Sequence, residues 1–265
     1  MTTERPVCTL LRMPAILLTN DDGIQAPGLA ALEKDFKDLG DLWVVAPDGE
    51  RSACSRAVTL NRPLRANQLG RRRFAVDGTP ADCVLLAFRS LMPEPPAVVI
   101  SGINNGFNVG EDLDYSGTVG GAAEAALQGA RIALAVSVAA QGGSALLKDA
   151  AGFTRLLVEE LKDSQIPADC YLNINFPATP TRRVRWTRQG NHLEKGAVVV
   201  ADDPRGKRYY WIAERPDEID PPEDTDRGAL RRGCISLSLL TLDRNWHGNW
   251  DPPRLWDDGY TEEAS

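Results

Sequence analysis

The chain has 265 residues, 43% of them hydrophobic and 25% charged, with a formal net charge of −7 and a pI near 5.0. That is ordinary globular composition, which excludes wholesale disorder and allows one large α/β domain with an appendage. The lack of a basic excess excludes a broad cationic face for nucleic-acid duplexes.

The first apolar run, Ile16-Leu17-Leu18-Thr19, stops abruptly in Asn20-Asp21-Asp22-Gly23. A short branched run closed by a turn signal predicts a buried parallel strand. In open α/β sheets ligands sit beyond the carboxyl ends of the strands. Adjacent buried carboxylates repel, and a cation relieves the repulsion. Asp21 and Asp22 therefore read as metal ligands, against the alternative of a turn whose acids cap the next helix. Leu29, Leu32 and Phe36 have helical spacing behind Pro27, and Gly40 ends that helix. Leu42 to Ala46 is a second strand, so strand, helix and strand imply a right-handed crossover and parallel pairing. The polar loop 47–55 follows, either plain solvent loop or a segment whose Ser52 and Ser55 face the acids.

Residues 57–78 read as a hairpin or pair of short strands, with Arg71 to Arg73 at a solvated turn. Thr79, Pro80 and Asp82 are spaced as a helix N-cap, first helical residue and reciprocal capping acid. Ala97 to Ile100 is a third strand, running into a loop with three asparagines and three glycines, 101–110. Such glycines admit close approach of a ligand, and asparagine offers an oxygen to a hard cation or an amide to a phosphate. Ser116-Gly117-Thr118, before the alanine-rich stretch Ala122 to Leu127, reads as an anion site at a helix start or as helix capping alone. Ile132 to Val138 is a fourth strand, and 144–162 a core helix. Tyr171 to Phe176 alternates Asn173 and Asn175 with apolar residues, which reads as sheet-edge polarity rather than a site.

From about 182 the chain turns to β segments, 184–187, 197–200 and 208–212, then a charged, proline-bearing surface loop, 214–232, and a return strand, Cys234 to Leu242. The tail carries Trp246, Trp250, Trp256 and Tyr260, large aromatics that need a surface, with a partner subunit favoured. The resulting division is a leader at 1–13, a core at 14–182, a β-rich extension at 183–245 and a tail at 246–265. Five scattered cysteines without a Cys-x-x-Cys pair suit a reducing compartment, and neither His192 nor His247 pairs with one as a catalytic thiol would require. The N-terminal segment lacks a signal-peptide apolar region and no run is long enough to span a bilayer, so a cytoplasmic protein without membrane contact is expected.

Three polar loops, 20–28, 47–55 and 101–118, thus emerge at one edge of a mostly parallel sheet. Their carboxylates, hydroxyls and amides suit Mg²⁺ or Mn²⁺, and no Cys/His cluster is present for zinc. With an anion site beside them, the outfit fits metal-assisted phosphoester hydrolysis by water.

Five motifs carry a resemblance. They are Asn-Asp-Asp-Gly at 20–23 with Ala-Pro-Gly at 26–28; Val-Ala-Pro-Asp at 45–48 with Arg-Ser at 51–52; Gly-Thr-Pro-Ala-Asp-Cys at 78–83; Ser-Gly-Ile-Asn at 101–104; and Tyr-Ser-Gly-Thr-Val at 115–119. In this order, over about 14–245, the chain is similar to the SurE family of stationary-phase survival proteins, metal-dependent nucleoside-monophosphate phosphatases. The resemblance implies a Rossmann-like three-layer αβα sandwich with a C-terminal β-hairpin arm. It implies hydrolysis of nucleoside 5′/3′-monophosphates, with short polyphosphate left open as a further substrate. It implies one divalent ion per subunit on Asp21, Asp22, Ser52 and Asn104, with Asn108, Ser116, Gly117 and Thr118 at the phosphate. Asp21 is then the expected base and Asn108 the other catalytic group. It also implies a homodimer or homotetramer with exchanged C-terminal segments. Asn105, Phe107 and the pair Ala53-Cys54 depart from the family pattern beside the site, which leaves nucleotide preference open. A dinucleotide-dependent oxidoreductase would need Gly-x-Gly-x-x-Gly where Asn-Asp-Asp-Gly stands. The remaining alternative is a nucleotide or metal sensor without turnover.

Overall fold

The structure, a computed structural model, describes residues 15–140, 142–161, 166–179, 183–190, 197–213 and 220–245. The leader, His192, His247 and the aromatic tail lie outside the described residues. Nine strands form one mixed sheet. Its centre is six parallel strands in the spatial order β4 (Arg73–Val76), β2 (Leu42–Pro47), β1 (Ile16–Thr19), β5 (Val98–Asn105), β6 (Ile132–Val138) and β7 (Cys170–Phe176). At one edge β3 (Ala66–Gly70) runs antiparallel to β4. At the other, β11 (Ile235–Thr241) runs antiparallel to β7 and parallel to β8 (Val184–Thr187). A separate antiparallel hairpin joins β9 (Ala197–Asp202) to β10 (Arg208–Ala213).

Helices cover both faces, giving the three-layer α/β sandwich. The helices α1 (Pro27–Phe36) and α4 (Gly143–Leu161) pack on one face. There Leu29, Leu32 and Phe36 meet Ile16, Leu18, Ile100 and Leu134 in one continuous apolar cluster. On the other face α2 (Pro80–Leu86) and α3 (Gly117–Leu127) cover Leu17, Val45, Val99 and Ala133. The Thr79/Asp82 capping box forms as its spacing predicts: Thr79 Oγ1 accepts from Asp82 N–H at 3.1 Å and Asp82 Oδ2 accepts from Thr79 N–H at 2.9 Å.

The α3 side differs in kind from the α1/α4 side. A row of buried polar residues crosses it from strand to strand: Thr19, Ser101, Ser137, Asn173, Asn175, Ser236 and Ser238. Thr19 lies beside Ser101, Ser137 beside Asn175, and Asn175 and Asn173 beside Ser236 and Ser238, while Ser101 pairs with Ala135.

Four expectations are corrected. The alternation of asparagines in β7 does not mark a sheet edge, because β7 is interior and both side chains are fully buried. Residues 57–64 form no strand, and only 66–76 make the hairpin. The arginine run is not merely solvated: Arg72 lies over the Trp43 ring at 5.6 Å, and Arg73 donates to Ile24 O at 2.6 Å and to Glu33 at 3.1 Å. The charged loop contains a helix, α5 (Asp226–Arg231), capped by Thr225. Asp226 is fully buried there, accepting from Gly110 N–H at 2.8 Å and Gly190 N–H at 3.0 Å. A surface-loop composition hid a clamp on the asparagine loop.

Candidate active site

The strand order reverses between β1 and β5. From β1 the chain crosses to β2 on one side, while β5, β6 and β7 continue on the other. The loops after β1 and β5 therefore part at the carboxyl edge and leave a crevice, the usual ligand position in such sheets. The turn after β1 is fixed by Asn20, whose Nδ2 donates to Gly23 O at 2.9 Å and whose Oδ1 accepts from Gly23 N–H at 3.2 Å. Gly23 takes φ +99°, a conformation open chiefly to glycine. That turn sends both acids into the crevice region rather than along a continuing strand.

Asp21 is buried at the start of α3. Its Oδ2 accepts from Thr118 N–H at 3.0 Å, and its Oδ1 accepts from the Thr118 hydroxyl. Burial pushes its pKa up, and the two Thr118 bonds oppose that rise. Asp22 is half-buried, and its pKa is pushed up to about 6, first by burial and then by the charge of Asp21. A bond from Asn105 N–H works the other way and joins the β5 loop to the acid pair. The loop after β2 is tied in by Arg51 N–H, which donates to Asp21 O at 2.7 Å.

Ser52 is exposed, and its hydroxyl donates to Glu50 at 2.7 Å. Glu50 is a residue that the sequence alone did not single out. Its charge raises the pKa of both Asp21 and Asp22, so it stands near the pair. Its place between Asp48, Gly49 and Arg51 looks like ordinary loop polarity. Ala53 and Ser55 follow with φ +53° each, a left-handed conformation costly for non-glycine residues.

Asn104 is half-buried beyond the irregularity in β5, where pairing with β6 slips between Gly102 and Asn104. Bulges of this kind re-aim side chains beside active sites. Its Nδ2 donates to Gly106 O at 3.0 Å, leaving the carboxamide oxygen as the end suited to a cation. Asn108 is buried and bonded to β6 and β7: its Nδ2 donates to Ser137 Oγ at 2.8 Å, and its N–H donates to Asn175 Oδ1 at 2.9 Å. Ser116 caps α3, its Oγ accepting from Val119 N–H at 3.1 Å. A side chain at Gly117 would have its Cβ 2.9 Å from Asp21 Oδ2 and 2.8 Å from Cys54 Sγ, so glycine lets the helix start close on the acid. The structure thus gathers Asp21, Asp22, Gly117 and Thr118, with Asn105 and Glu50 beside them. Asn108 lies on the β5 loop but its bonds point to β6 and β7.

Among the described residues no group of three or more His, Cys, Asp or Glu is arranged to hold a metal. The acids offered there are instead two carboxylates, hard oxygen ligands of the kind that suits a divalent cation. The mutual repulsion of the acids fits them to a cation. Four cysteines, Cys54, Cys83, Cys170 and Cys234, are free, and burial holds the Cys54 thiol up at about 11, so no thiolate competes there near neutral pH.

Thr118 was expected at the phosphate, yet both its donors serve Asp21. Thr118→Val keeps the shape and removes only the hydroxyl, leaving a buried carboxylate short of one partner. We expect Mn²⁺ affinity to fall about 10–100-fold, the usual cost of losing an outer partner of a metal ligand, with KM little changed at saturating metal. A rise in KM with unchanged metal affinity would return Thr118 to the phosphate.

Known proteins share both the sequence and the fold that carry this geometry. A family model described as "Survival protein SurE" matches residues 16–195. The protein named 5′-nucleotidase SurE from Geotalea daltonii is 45% identical over 245 residues, 91% of this chain and 98% of that protein. The 5′-nucleotidase SurE of Geobacter sulfurreducens is 43% identical, over 91% and 93%. The crystal structure of the SurE protein from Aquifex aeolicus superimposes with a TM-score of 0.78 at 38% identity, covering 88% of this chain and 95% of that one.

Proposed function

This chain belongs to the SurE family, and we propose that it is a divalent-metal-dependent phosphomonoesterase that hydrolyses nucleoside 5′- and 3′-monophosphates to nucleoside and phosphate. The observation that carries the reading is the pair Asp21 and Asp22 at the point where strand order reverses, Asp21 bonded to the start of α3 and Asp22 to Asn105 at the end of β5. Kinship with enzymes named 5′-nucleotidase supports the reaction class. One Mg²⁺ or Mn²⁺ per subunit would be held by Asp21, Asp22, Ser52 and Asn104. When bound, the ion polarises the phosphoryl group and lowers the pKa of a water. Ser52 donates its hydroxyl hydrogen to Glu50 and keeps its oxygen lone pairs for the ion. With both Thr118 donors engaged by Asp21, phosphate contact falls to Asn108, Ser116 and Gly117. Asp21 takes the proton of the attacking water; each of its oxygens accepts one bond from Thr118 and keeps a further lone pair.

Among the described residues no helix is long and apolar enough to cross a membrane, and the cytoplasm is the proposed location. The β9–β10 hairpin exposes Val198, Val200, Tyr210 and Ile212, with Ile212 87% exposed. An isolated two-stranded hairpin is marginal in water, which supports exchange of this arm within a homodimer or homotetramer.

The test is phosphate release from a panel of nucleoside monophosphates and short polyphosphate with Mn²⁺, Mg²⁺ or EDTA. Release that requires metal is expected; full activity in EDTA would refute the metal. Tight nucleotide binding without release would favour a sensor. The pH dependence of metal binding has a definite sign. Asp22 with its pKa near 6 is protonated below that pH in the metal-free chain, and the ion must displace the proton. Mn²⁺ affinity should rise with pH up to about 6 and level off above it, and metal-free stability should decline over the same window as Asp22 ionises. Calorimetric titration reads the affinity and thermal unfolding in EDTA the stability, each at several pH values; a flat affinity profile would show that Asp22 is not a ligand.

A further inference from the structure

We infer that Asn173 and Asn175 of β7, with Ser137 of β6, are positioning residues for Asn108. The inference rests on the proposed contact between Asn108 and phosphate. The Asn175 carboxamide grips the main chain of Asn108 at both ends: Oδ1 accepts its N–H at 2.9 Å, and Nδ2 donates to its carbonyl at 2.9 Å. Asn173 Nδ2 donates to the same carbonyl at 2.9 Å. Ser137 Oγ accepts from Asn108 Nδ2 at 2.8 Å, which sets the rotamer. Four bonds from three fully buried side chains therefore converge on one loop residue.

This is more than backbone satisfaction needs. The Asn108 carbonyl accepts two side-chain donors, while Asn173 Oδ1 is left without a partner although buried. Burying an unpaired carboxamide oxygen is destabilising. Asn173 is thus held where its donor serves Asn108 and its acceptor serves nothing. A leucine or valine there would suit the strand better if packing alone mattered. Both ends of the loop around Asn108 turn on glycine, Gly106 at φ +147° and Gly110 at φ +57°. A loop with glycine on either side does not hold a side chain in place unaided, and the rigid strands β6 and β7 supply the hold.

The test is a double-mutant cycle on the full chain with Mn²⁺. Asn175→Asp keeps the acceptor for Asn108 N–H but turns the donor facing the carbonyl into an acceptor. Ser137→Ala, the milder variant, frees the Asn108 carboxamide and carries the test if Asn175→Asp fails to fold. Each should lower kcat/KM by about 10–100-fold, the scale of a roughly 1 Å misplacement. Each should weaken binding of inorganic phosphate, read by calorimetry, and leave Mn²⁺ affinity as in the parent. In an Asn108→Ala background the same changes should cost less than about twofold, since no side chain remains to be aimed. Equal losses in both backgrounds, or parent-like kcat/KM and phosphate binding in both variants, would overturn the inference while leaving the phosphatase reading intact. Unchanged turnover in Asn108→Ala alone would remove Asn108 from the site and the inference with it. A parent that binds neither phosphate nor substrate would refute both.

Discussion

Asp21→Asn is expected to lower metal-dependent phosphate release by at least about a hundredfold, since loss of even an outer partner of a metal ligand costs 10–100-fold. The same change should leave the chain folded and, without metal, more stable at neutral pH. Burial raises the Asp21 pKa, so the fold bears a charge in a place that disfavours it. Removing that charge also relieves Asp22, whose pKa Asp21 raises. The asparagine fits because of what faces it. Its oxygen can accept from Thr118 N–H, and its amide can donate to the Thr118 hydroxyl, which is donor and acceptor alike. Thermal unfolding in EDTA, set beside turnover in Mn²⁺, should move the two quantities in opposite directions. Parent-like turnover would mean that the acid pair does not hold the metal.

Gly28→Ala should cost a large part of the stability. Gly28 lies in the first turn of α1, and an added Cβ would stand 2.0 Å from Ile103 O. Ile103 is the residue at which β5 slips against β6, so its carbonyl sits where backbone geometry has little slack. The obstacle is main chain on both sides, and no rotamer change can remove it. Overpacking costs about 1–3 kcal/mol where side chains can yield, and the expected cost here is at the upper end or beyond. For a chain of this size that lowers Tm by roughly 6–12 °C. Activity should fall as well, because Asn104 and Asn105 follow directly. Gly152→Ala is the control: it lies in α4, and its added Cβ would meet only Asp35 Oδ2, at 3.6 Å. There the change should be neutral or stabilising by up to about 1 kcal/mol. Similar losses in both variants would show that helix-start packing at Gly28 is not special.

Apolar runs such as Ile16 to Thr19 and Ile132 to Val138 were legible as core strands because both faces of a parallel sheet are buried. The capping box of α2 was legible because its chemistry is local. Asp21 and Asp22 stood out because two adjacent acids at the end of a core strand repel each other unless a cation lies between them. The asparagines of β7 were misread for a physical reason. Polar residues at every second position normally mean a half-solvated strand, and nothing in the spacing says that α3 covers the polar side. Thr118 illustrates the same limit: a helix-start threonine offers donors, but only the packing of α3 against β1 decides that an aspartate takes them. Asp226 and Glu50 were hidden by charged neighbours, in segments whose composition suggested solvent.

The two faces of the sheet have unequal freedom to change. On the α1/α4 side a continuous apolar cluster can exchange leucine for methionine or isoleucine with small loss, because volume and pattern are what such a core requires. On the α3 side Ser137, Asn173 and Asn175 are bonded to Asn108, and Ser236 and Ser238 to Thr187, so one altered member strands its partner. In a randomised library selected only for folding, accepted substitutions should therefore crowd onto one side of a single sheet. Lineages of this protein would diverge there first, and a clock read from the α1/α4 face would run faster than one read from the face that carries the site.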